Sequence, residues 1–393
     1  MKADKHIYID DYTSQVNKKN NFVCGDYAMI KRNPEYTDFV LCDGMGSGPK
    51  ANMSAIMCAN RILGLMENGV SIYRACEKAV ELMHRARTED IPFAAFSIVR
   101  INKHGHYTAL SFEIPPPVIV KEKIAEVCEQ RFFACAHEVV SESIGRLGSG
   151  DSLIFVSDGV SQAGLGIMSG SGWGIEGFEK FININLVKGL RINEIAEKTL
   201  KQTHRLSGRV HADDTTVAVL SAKNASIINI LSGPPADRGM DAEFVKAFMK
   251  RTGSKIICGS TTAGMAAREL GEEVQVSDIS TSFHEPPRYH IGGIDIVSEG
   301  AVTLNQIYNI LDIDMGSISE NSVVFDIAKM LLSADIINIY MGDAKNTAHQ
   351  DTSFKQIGIA ERAVIVKLLI EKLTKMGKVV RIIKPSEVIG KGR

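Results

Sequence analysis

Three acidic positions stand beside apolar runs, where a carboxylate can reach a shared edge of a sheet. Asp43 follows one run and is followed by Gly44, Asp158 follows a second, and Asp213 and Asp214 precede a third. The runs are residues 39–41, 153–156 and 217–220. Carboxylates that converge without basic partners repel one another, so they commonly hold a hard cation. The sequence therefore predicts a metal site that several strands of one domain build together.

Each acidic segment also has a simpler interpretation when it is taken alone. The glycines after Asp43 are typical of a tight turn or of a phosphate-binding loop. The nucleotide-binding fingerprint fails there, because Pro49 stands where a glycine should precede Lys50, and Ala51 replaces Ser or Thr. The other two segments are typical of a type I′ turn and of a solvated turn. It is the combination of the segments, in this order, that favours the metal site.

Four segments in this order resemble the bacterial metal-dependent Ser/Thr protein phosphatases of the PPM type, in the branch of the stage II sporulation protein E phosphatase. They are Gly25-Asp26, Asp43-Gly44-Met45-Gly46-Ser47-Gly48, Ser157-Asp158-Gly159 and Asp213-Asp214-Thr215-Thr216. The resemblance covers about residues 1–222. It implies an α+β domain in which a β-sandwich is flanked by helices, and a protein phosphatase that depends on two Mn or Mg ions.

The resemblance also implies a role for each residue of the site. Asp43 would bridge the two metal ions, and the carbonyl of Gly44 would be a ligand of one of them. Asp158 and Asp213 would hold the other ion, and Asp26 would bind the remaining metal directly or through water. Asp43 and Asp158 would then act in catalysis through metal-bound water, which would be the nucleophile in place of any side chain.

Several positions near this site remain ambiguous. The resemblance favours Asp213 over Asp214, because the family's ligand lies two residues before the position of Thr215, and the choice stays open. Many phosphatases of this broad class bind the substrate phosphate with an arginine near the N-terminus. The corresponding stretch here has Lys18 and Lys19, for which a solvated loop is the favoured interpretation. His211 is a candidate proton donor to the leaving group.

Composition limits the class of protein. The 393 residues are 45% apolar and 23% charged, which is typical of globular domains, and the prior for this length is two or three domains. A net charge of −1 gives no reason to expect nucleic acid or an anionic membrane surface as a partner. Neither a membrane-spanning run nor an N-terminal signal region is evident. The seven cysteines lack metal-type spacing, which predicts reduced thiols in a cytoplasmic protein.

The pattern of strands and helices predicts two domains, residues 1–222 and 223–393. In the second, strands alternate with helices, which predicts a three-layer α/β domain with a mostly parallel sheet. Two of its apolar runs, residues 226–233 and 335–342, are similar, although buried parallel strands converge on such runs in any case. The predicted helix starts or caps in the chain include Ser71, Asn193, Asp241, Thr303 and either Ser319 or Glu320.

Two functions follow from these patterns. The first is Mg- or Mn-dependent hydrolysis of phosphoserine or phosphothreonine in a bacterial signalling protein, with the second domain as a regulator or ligand-binding unit. The alternative is a non-catalytic signalling adaptor that binds a phosphoprotein or a small ligand. In the second domain, residues 259–264 lie between a strand and a helix and could hold a small anion, or could be a plain Gly/Ser/Thr connection.

Overall fold

The computed structural model describes residues 6–89, 93–167, 170–278, 286–313, 322–344 and 360–389. The chain divides between Asn224 and Ala225 into two compact units, and each is described by itself. Among the described helices, none combines the length and the apolar character that a membrane crossing requires.

The first unit contains two antiparallel sheets. Its strands are β1 (Ile7–Val16), β2 (Asp26–Arg32), β3 (Tyr36–Gly44), β4 (Ala94–Asn102), β5 (His106–Phe112), β6 (Val118–Lys121), β7 (Ile124–Val127), β8 (Arg131–Cys135), β9 (Glu138–Arg146), β10 (Ser152–Val156) and β11 (Thr215–Asn224). One sheet has the order β1-β11-β10-β6-β7, and the other has the order β2-β3-β4-β5-β9-β8.

Helices cover the outer faces of both sheets. They are α1 (Pro49–Glu67), α2 (Ile72–Thr88), α3 (Asp158–Ser161), α4 (Gly174–Val187) and α5 (Ile195–Leu206). Helices α1 and α2 pack on the six-stranded sheet, while α4 and α5 pack on the five-stranded sheet. The predicted β-sandwich flanked by helices is therefore confirmed.

Strand β3 shows why the sequence folds into these layers. Phe39 and Leu41 point into the core between the two sheets, whereas Val40 and Cys42 point toward α1 and α2. The ring of Phe39 lies 5.3 Å from that of Phe155 on the facing sheet. A strand that is buried on both faces is apolar at consecutive positions, and this accounts for the unbroken run before the acid.

The second unit is a single mixed sheet between helices. Its strands are β12 (Ile227–Ser232), β13 (Ser254–Cys258), β14 (Gln275–Asp278), β15 (Arg288–His290), β16 (Ile296–Ser298), β17 (Ile336–Met341) and β18 (Val379–Ile383). Their order is β14-β15-β16-β13-β12-β17-β18. Only the pairings of β14 with β15 and of β15 with β16 are antiparallel, so the expected mostly parallel sheet is confirmed.

Helices lie on both faces of this sheet. They are α6 (Asp241–Lys250), α7 (Ser260–Leu270), α8 (Ala301–Ile310), α9 (Val323–Ser333), α10 (Arg362–Lys375) and α11 (Pro385–Ile389). One apolar core joins the sheet to α8, α9 and α10, and the other joins it to α6, α7 and α11. The predicted three-layer α/β architecture is confirmed.

The two similar apolar runs are neighbours in space. Strands β12 and β17 pair in parallel, with Asn229 opposite Asn338. Both asparagines are buried, and the side-chain N–H of Asn338 donates to the side-chain oxygen of Asn229 at 3.0 Å. Because the two runs are similar and pair in register, each contributes one asparagine to a hydrogen-bonded pair inside an otherwise apolar core.

The structure corrects several predicted helix starts. The Ser71 hydroxyl caps α2 by accepting the N–H of Arg74, as expected. The caps at Asn193, Asp241 and Thr303 were wrong predictions, because a 3₁₀ turn precedes α5, Asp241 is the first residue of α6, and α8 begins two residues before Thr303. Ser322 caps α9, whereas the candidates Ser319 and Glu320 lie outside the described residues.

Candidate metal centre

The edges of the two sheets in the first unit bring the predicted acids together. Asp26 begins β2 and Asp43 stands one residue before the end of β3, and the antiparallel register places these two residues directly opposite each other. On the other sheet, Asp158 starts α3 just after β10, and Asp213 comes two residues before β11. Strands β10 and β11 pair in antiparallel fashion, so these ends also meet.

Hydrogen bonds tie the two sheets together at this point. The Thr216 hydroxyl on β11 donates to Oδ2 of Asp26 at 2.7 Å, which connects the five-stranded sheet to the six-stranded one. The Thr216 N–H donates to the hydroxyl of Ser157 at 2.9 Å, and Gln15 donates to the Thr216 hydroxyl at 2.9 Å. The Thr and Ser beside the acids therefore hold the orientation of Asp26, a role that the sequence analysis did not assign.

The carboxylates lie close enough to repel one another. Burial raises the pKa of Asp43 well above its ordinary value, with further contributions from Asp26, Asp158 and Asp213, and the Asp43 and Asp158 side chains are within hydrogen-bonding reach. Burial also raises the pKa of Asp26 to about 6, helped by the charges of Asp214 and Asp158. Burial likewise raises the pKa of Asp158. A cation bound at this position would lower each of these raised pKa values.

Two oxygens of this group have no hydrogen-bond partner among the residues that the structure describes. They are Oδ1 of Asp26 and Oδ2 of Asp214, both buried. A buried carboxylate oxygen without a donor is costly, and an all-oxygen set of this kind fits Mg²⁺ or Mn²⁺. Within the described ranges, no three His, Cys, Asp or Glu side chains form a ready-made cage for a metal. Mg²⁺ keeps several water ligands, so a looser arrangement of carboxylates is enough to hold such an ion.

Gly44 occupies a position that only glycine can fill. A Cβ built on Gly44 would lie 2.0 Å from the backbone oxygen of Ala51 in the first turn of α1. The side chain of Asn52 donates to the backbone oxygen of Cys24 at 2.8 Å, which fastens α1 beside the start of β2. The metal loop is therefore clamped between a strand and a helix. The assignment of the Gly44 carbonyl as a ligand stays a prediction.

Asp213 and Asp214 have different surroundings. The Asp213 side chain is 36% exposed and lies close to Asp43 and Asp158. Asp214 is buried, accepts the backbone N–H of Lys18 at 2.9 Å, and faces Asp26. This geometry is consistent with Asp213 as the ligand shared with Asp158, and with Asp214 as a buried support behind it.

Lys18 lies beside the acids of the site and is partly exposed to solvent. Its Nζ is 3.3 Å from Oδ1 of Asp213, and its charge also acts on Asp158. Its side chain is 41% exposed, so the ammonium group can reach a phosphate that approaches from solvent. In the sequence Lys18 was a possible phosphate ligand, and only the tertiary structure places it beside the acids.

His211 borders a small cavity of about 180 Å³ next to Asp213. Its ring lies 4.7 Å from that of His204, and burial followed by the charge of His204 lowers the pKa of His211. The proton-donor role of His211 stays a prediction.

The comparisons with known proteins agree on the first unit. Residues 33–223 match the family model described as stage II sporulation protein E (SpoIIE). No curated protein matches the chain.

Solved structures give a further, weaker likeness. One is the PP2C phosphatase domain of SpoIIE from Bacillus subtilis, solved with a fragment of its regulatory domain. It is 19% identical to this chain with a TM-score of 0.47, and the match covers 56% of this chain and 65% of that chain. The RsbU and RsbW domains of Rv1364c from Mycobacterium tuberculosis are 15% identical to this chain with a TM-score of 0.47. The match covers 62% of this chain and 69% of that chain. The chain thus spans just under two thirds of the length of that SpoIIE structure. The family match covers residues 33–223, and over those residues this chain is similar to the SpoIIE family.

Proposed function

We propose that the first unit hydrolyses phosphoserine or phosphothreonine in a bacterial signalling protein, in a reaction that needs two Mn or Mg ions. The observation that carries the proposal is the meeting of acids from both sheets, Asp26 and Asp43 from one and Asp158 and Asp213 from the other, in a unit whose residues 33–223 match the SpoIIE family.

The residues divide into ligands and supports. We propose that Asp26, Asp43, Asp158, Asp213 and the Gly44 carbonyl would hold the metal ions. When bound, the ions would activate a water and neutralise charge on the phosphoryl group. Asp43 and Asp158 are only partly exposed, so they can meet a substrate at the surface while most of the surrounding water is excluded.

The openness of the site fits a phosphorylated side chain on a protein. Asp43, Asp158 and Asp213 are partly exposed, whereas Asp26 and Asp214 are buried behind them. A phosphate can therefore approach the outer three acids from solvent, with Lys18 at the rim as a point charge for its free oxygens.

Hydrolysis of p-nitrophenyl phosphate and of a phosphoserine peptide tests the proposal. Both activities should require Mn²⁺ or Mg²⁺ and should vanish in Asp43→Asn. The matched control is Asp151→Asn, at the far end of β10 from Asp158, which should keep full activity. Tight binding of the phosphopeptide without turnover in the presence of Mn²⁺ would instead indicate the non-catalytic adaptor.

We further propose that the second unit regulates this activity, that a small anion binds near residues 259–264, and that the protein acts in the cytoplasm. All seven cysteines are free thiols, which supports a reducing compartment. The regulatory proposal predicts that a ligand of the second unit changes the turnover number of the full chain, and steady-state kinetics with and without that ligand would test it.

A further inference from the structure

The second sheet has a crevice where its strand order reverses. Counted along the chain, the parallel strands β16, β13, β12, β17 and β18 stand in the order third, second, first, fourth and fifth. Successive connections therefore leave the first strand in opposite directions, and the crevice lies at the carboxyl ends of β12 and β17. A cavity of about 680 Å³ occupies this edge, a volume typical of small-molecule sites.

Two helices begin at this cavity beside each other. Helix α7 starts after Gly259 and α8 starts after Gly300, and neither has a side-chain cap. A Cβ at Gly300 would lie 3.4 Å from the Cα of Gly259, so the two N-termini are in contact. The first amides of each helix have no acceptor within the helix and carry the positive end of its dipole. Together they favour an anion in the cavity.

Arginine side chains add positive charge to the lining. Arg238, Arg268 and Arg362 all border the cavity, and Glu299 contributes an opposing charge. Arg362 is held in place because its guanidinium donates to the backbone oxygen of Ala344 at 2.7 Å. The guanidinium groups can bind phosphate oxygens with charge-assisted hydrogen bonds.

Asp241 gives the second, independent indication of a ligand. It lines the cavity and is only 3% exposed. Its Oδ2 accepts a hydrogen bond from Arg268 at 2.6 Å, whereas its Oδ1 is buried with no partner in the part of the chain that the structure describes. A buried carboxylate oxygen requires a donor, such as a hydroxyl group of a bound molecule.

We propose that this cavity binds a phosphorylated small molecule that carries hydroxyl groups, such as a sugar phosphate. The phosphate lies at the paired N-termini of α7 and α8, and a hydroxyl donates to Oδ1 of Asp241. The loop after β12 lacks the Gly-x-Gly-x-x-Gly fingerprint, so a dinucleotide in its usual position is not favoured. The inference deepens the small-anion proposal and does not depend on phosphatase activity.

Calorimetry on the full chain in EDTA, which keeps metal out of the first unit, tests the proposal. The probes are ribose 5-phosphate, ribose and inorganic phosphate. We expect ribose 5-phosphate to bind about ten-fold or more tightly than inorganic phosphate, and ribose alone not to bind. Weak or absent binding of ribose 5-phosphate, or equal affinity for the two phosphates, would overturn the proposal.

Two variants separate the phosphate position from the hydroxyl position. Thr261 is exposed in the first turn of α7, so Thr261→Glu places a carboxylate where it stabilises the helix and repels an anion. It should weaken both phosphates about ten-fold or more, while the neutral Thr261→Gln stays near wild type. Asp241→Ala removes the acceptor and should weaken ribose 5-phosphate more than it weakens inorganic phosphate. Wild-type binding by folded Thr261→Glu, or a folded Asp241→Ala that binds ribose 5-phosphate normally, would refute the assignment.

Discussion

Removal of the buried charge at Asp26 should have opposite effects on stability and on metal binding. Asp26 is 2% exposed, its Oδ1 has no hydrogen-bond partner within the described ranges, and burial raises its pKa from 3.8 to about 6. The folded state therefore holds the proton more tightly than the unfolded chain does. Between about pH 4 and pH 6 the metal-free domain loses stability as the pH rises, and above that range the full penalty remains.

The magnitude follows from this pKa difference. One pKa unit corresponds to about 1.4 kcal/mol, so the ionised Asp26 should cost the metal-free domain about 3 kcal/mol at pH 7.5 and about half of that at pH 5. Asp26→Asn removes the charge and keeps an oxygen that can accept the Thr216 hydroxyl. We expect the variant to be more stable than wild type in EDTA, with a larger gain at pH 7.5 than at pH 5.

Urea unfolding followed by tryptophan fluorescence can measure this effect. The chain has one tryptophan, Trp173, whose ring lies 5.3 Å from that of Phe181, so the signal reports on the first unit. Asp151→Asn, in the turn before β10, serves as the matched control outside the site. Added Mn²⁺ should stabilise wild type far more than Asp26→Asn, because binding to the folded state is linked to stability. An Asp26→Asn variant that is no more stable than wild type at pH 7.5 would refute the buried-charge reasoning.

Three further predictions concern neighbouring residues. Asp213→Asn should weaken Mn²⁺ binding by about ten-fold or more, whereas Asp214→Asn should mainly lower the free energy of unfolding. Titration calorimetry measures the first effect and urea unfolding the second. The reverse result would make Asp214 the ligand. Lys18→Met should tighten Mn²⁺ binding about two- to five-fold in calorimetry, since an ammonium 3.3 Å from Asp213 repels a cation; unchanged affinity would contradict this. Gly44→Ala should lower the free energy of unfolding by about 1–3 kcal/mol and reduce activity, because its Cβ would collide with the first turn of α1. The control Gly64→Ala has open space and should stabilise α1 by about 0.5–1 kcal/mol in the same unfolding assay.

The sequence predicted the layers of both units because apolar runs and helical periods are local signals. The run before Asp43 was readable as a strand buried on both faces, and the alternation after residue 223 was readable as a parallel sheet. The helix starts at Asp241 and Thr303 were misplaced, because a good capping residue can also lie inside the first turn and only the backbone path decides between these positions.

The sequence alone determined which carboxylates are candidates, since acids next to apolar runs can be recognised without any contact information. Only the tertiary structure decided how they meet. The antiparallel register sets Asp26 opposite Asp43, and a Thr216 hydrogen bond joins the second sheet to the first. The tertiary structure also shows that Lys18 lies beside Asp213. It shows as well that Oδ1 of Asp241 is buried with no partner among the described residues. These relations join residues far apart in the chain, and no local pattern encodes which of them share a buried space.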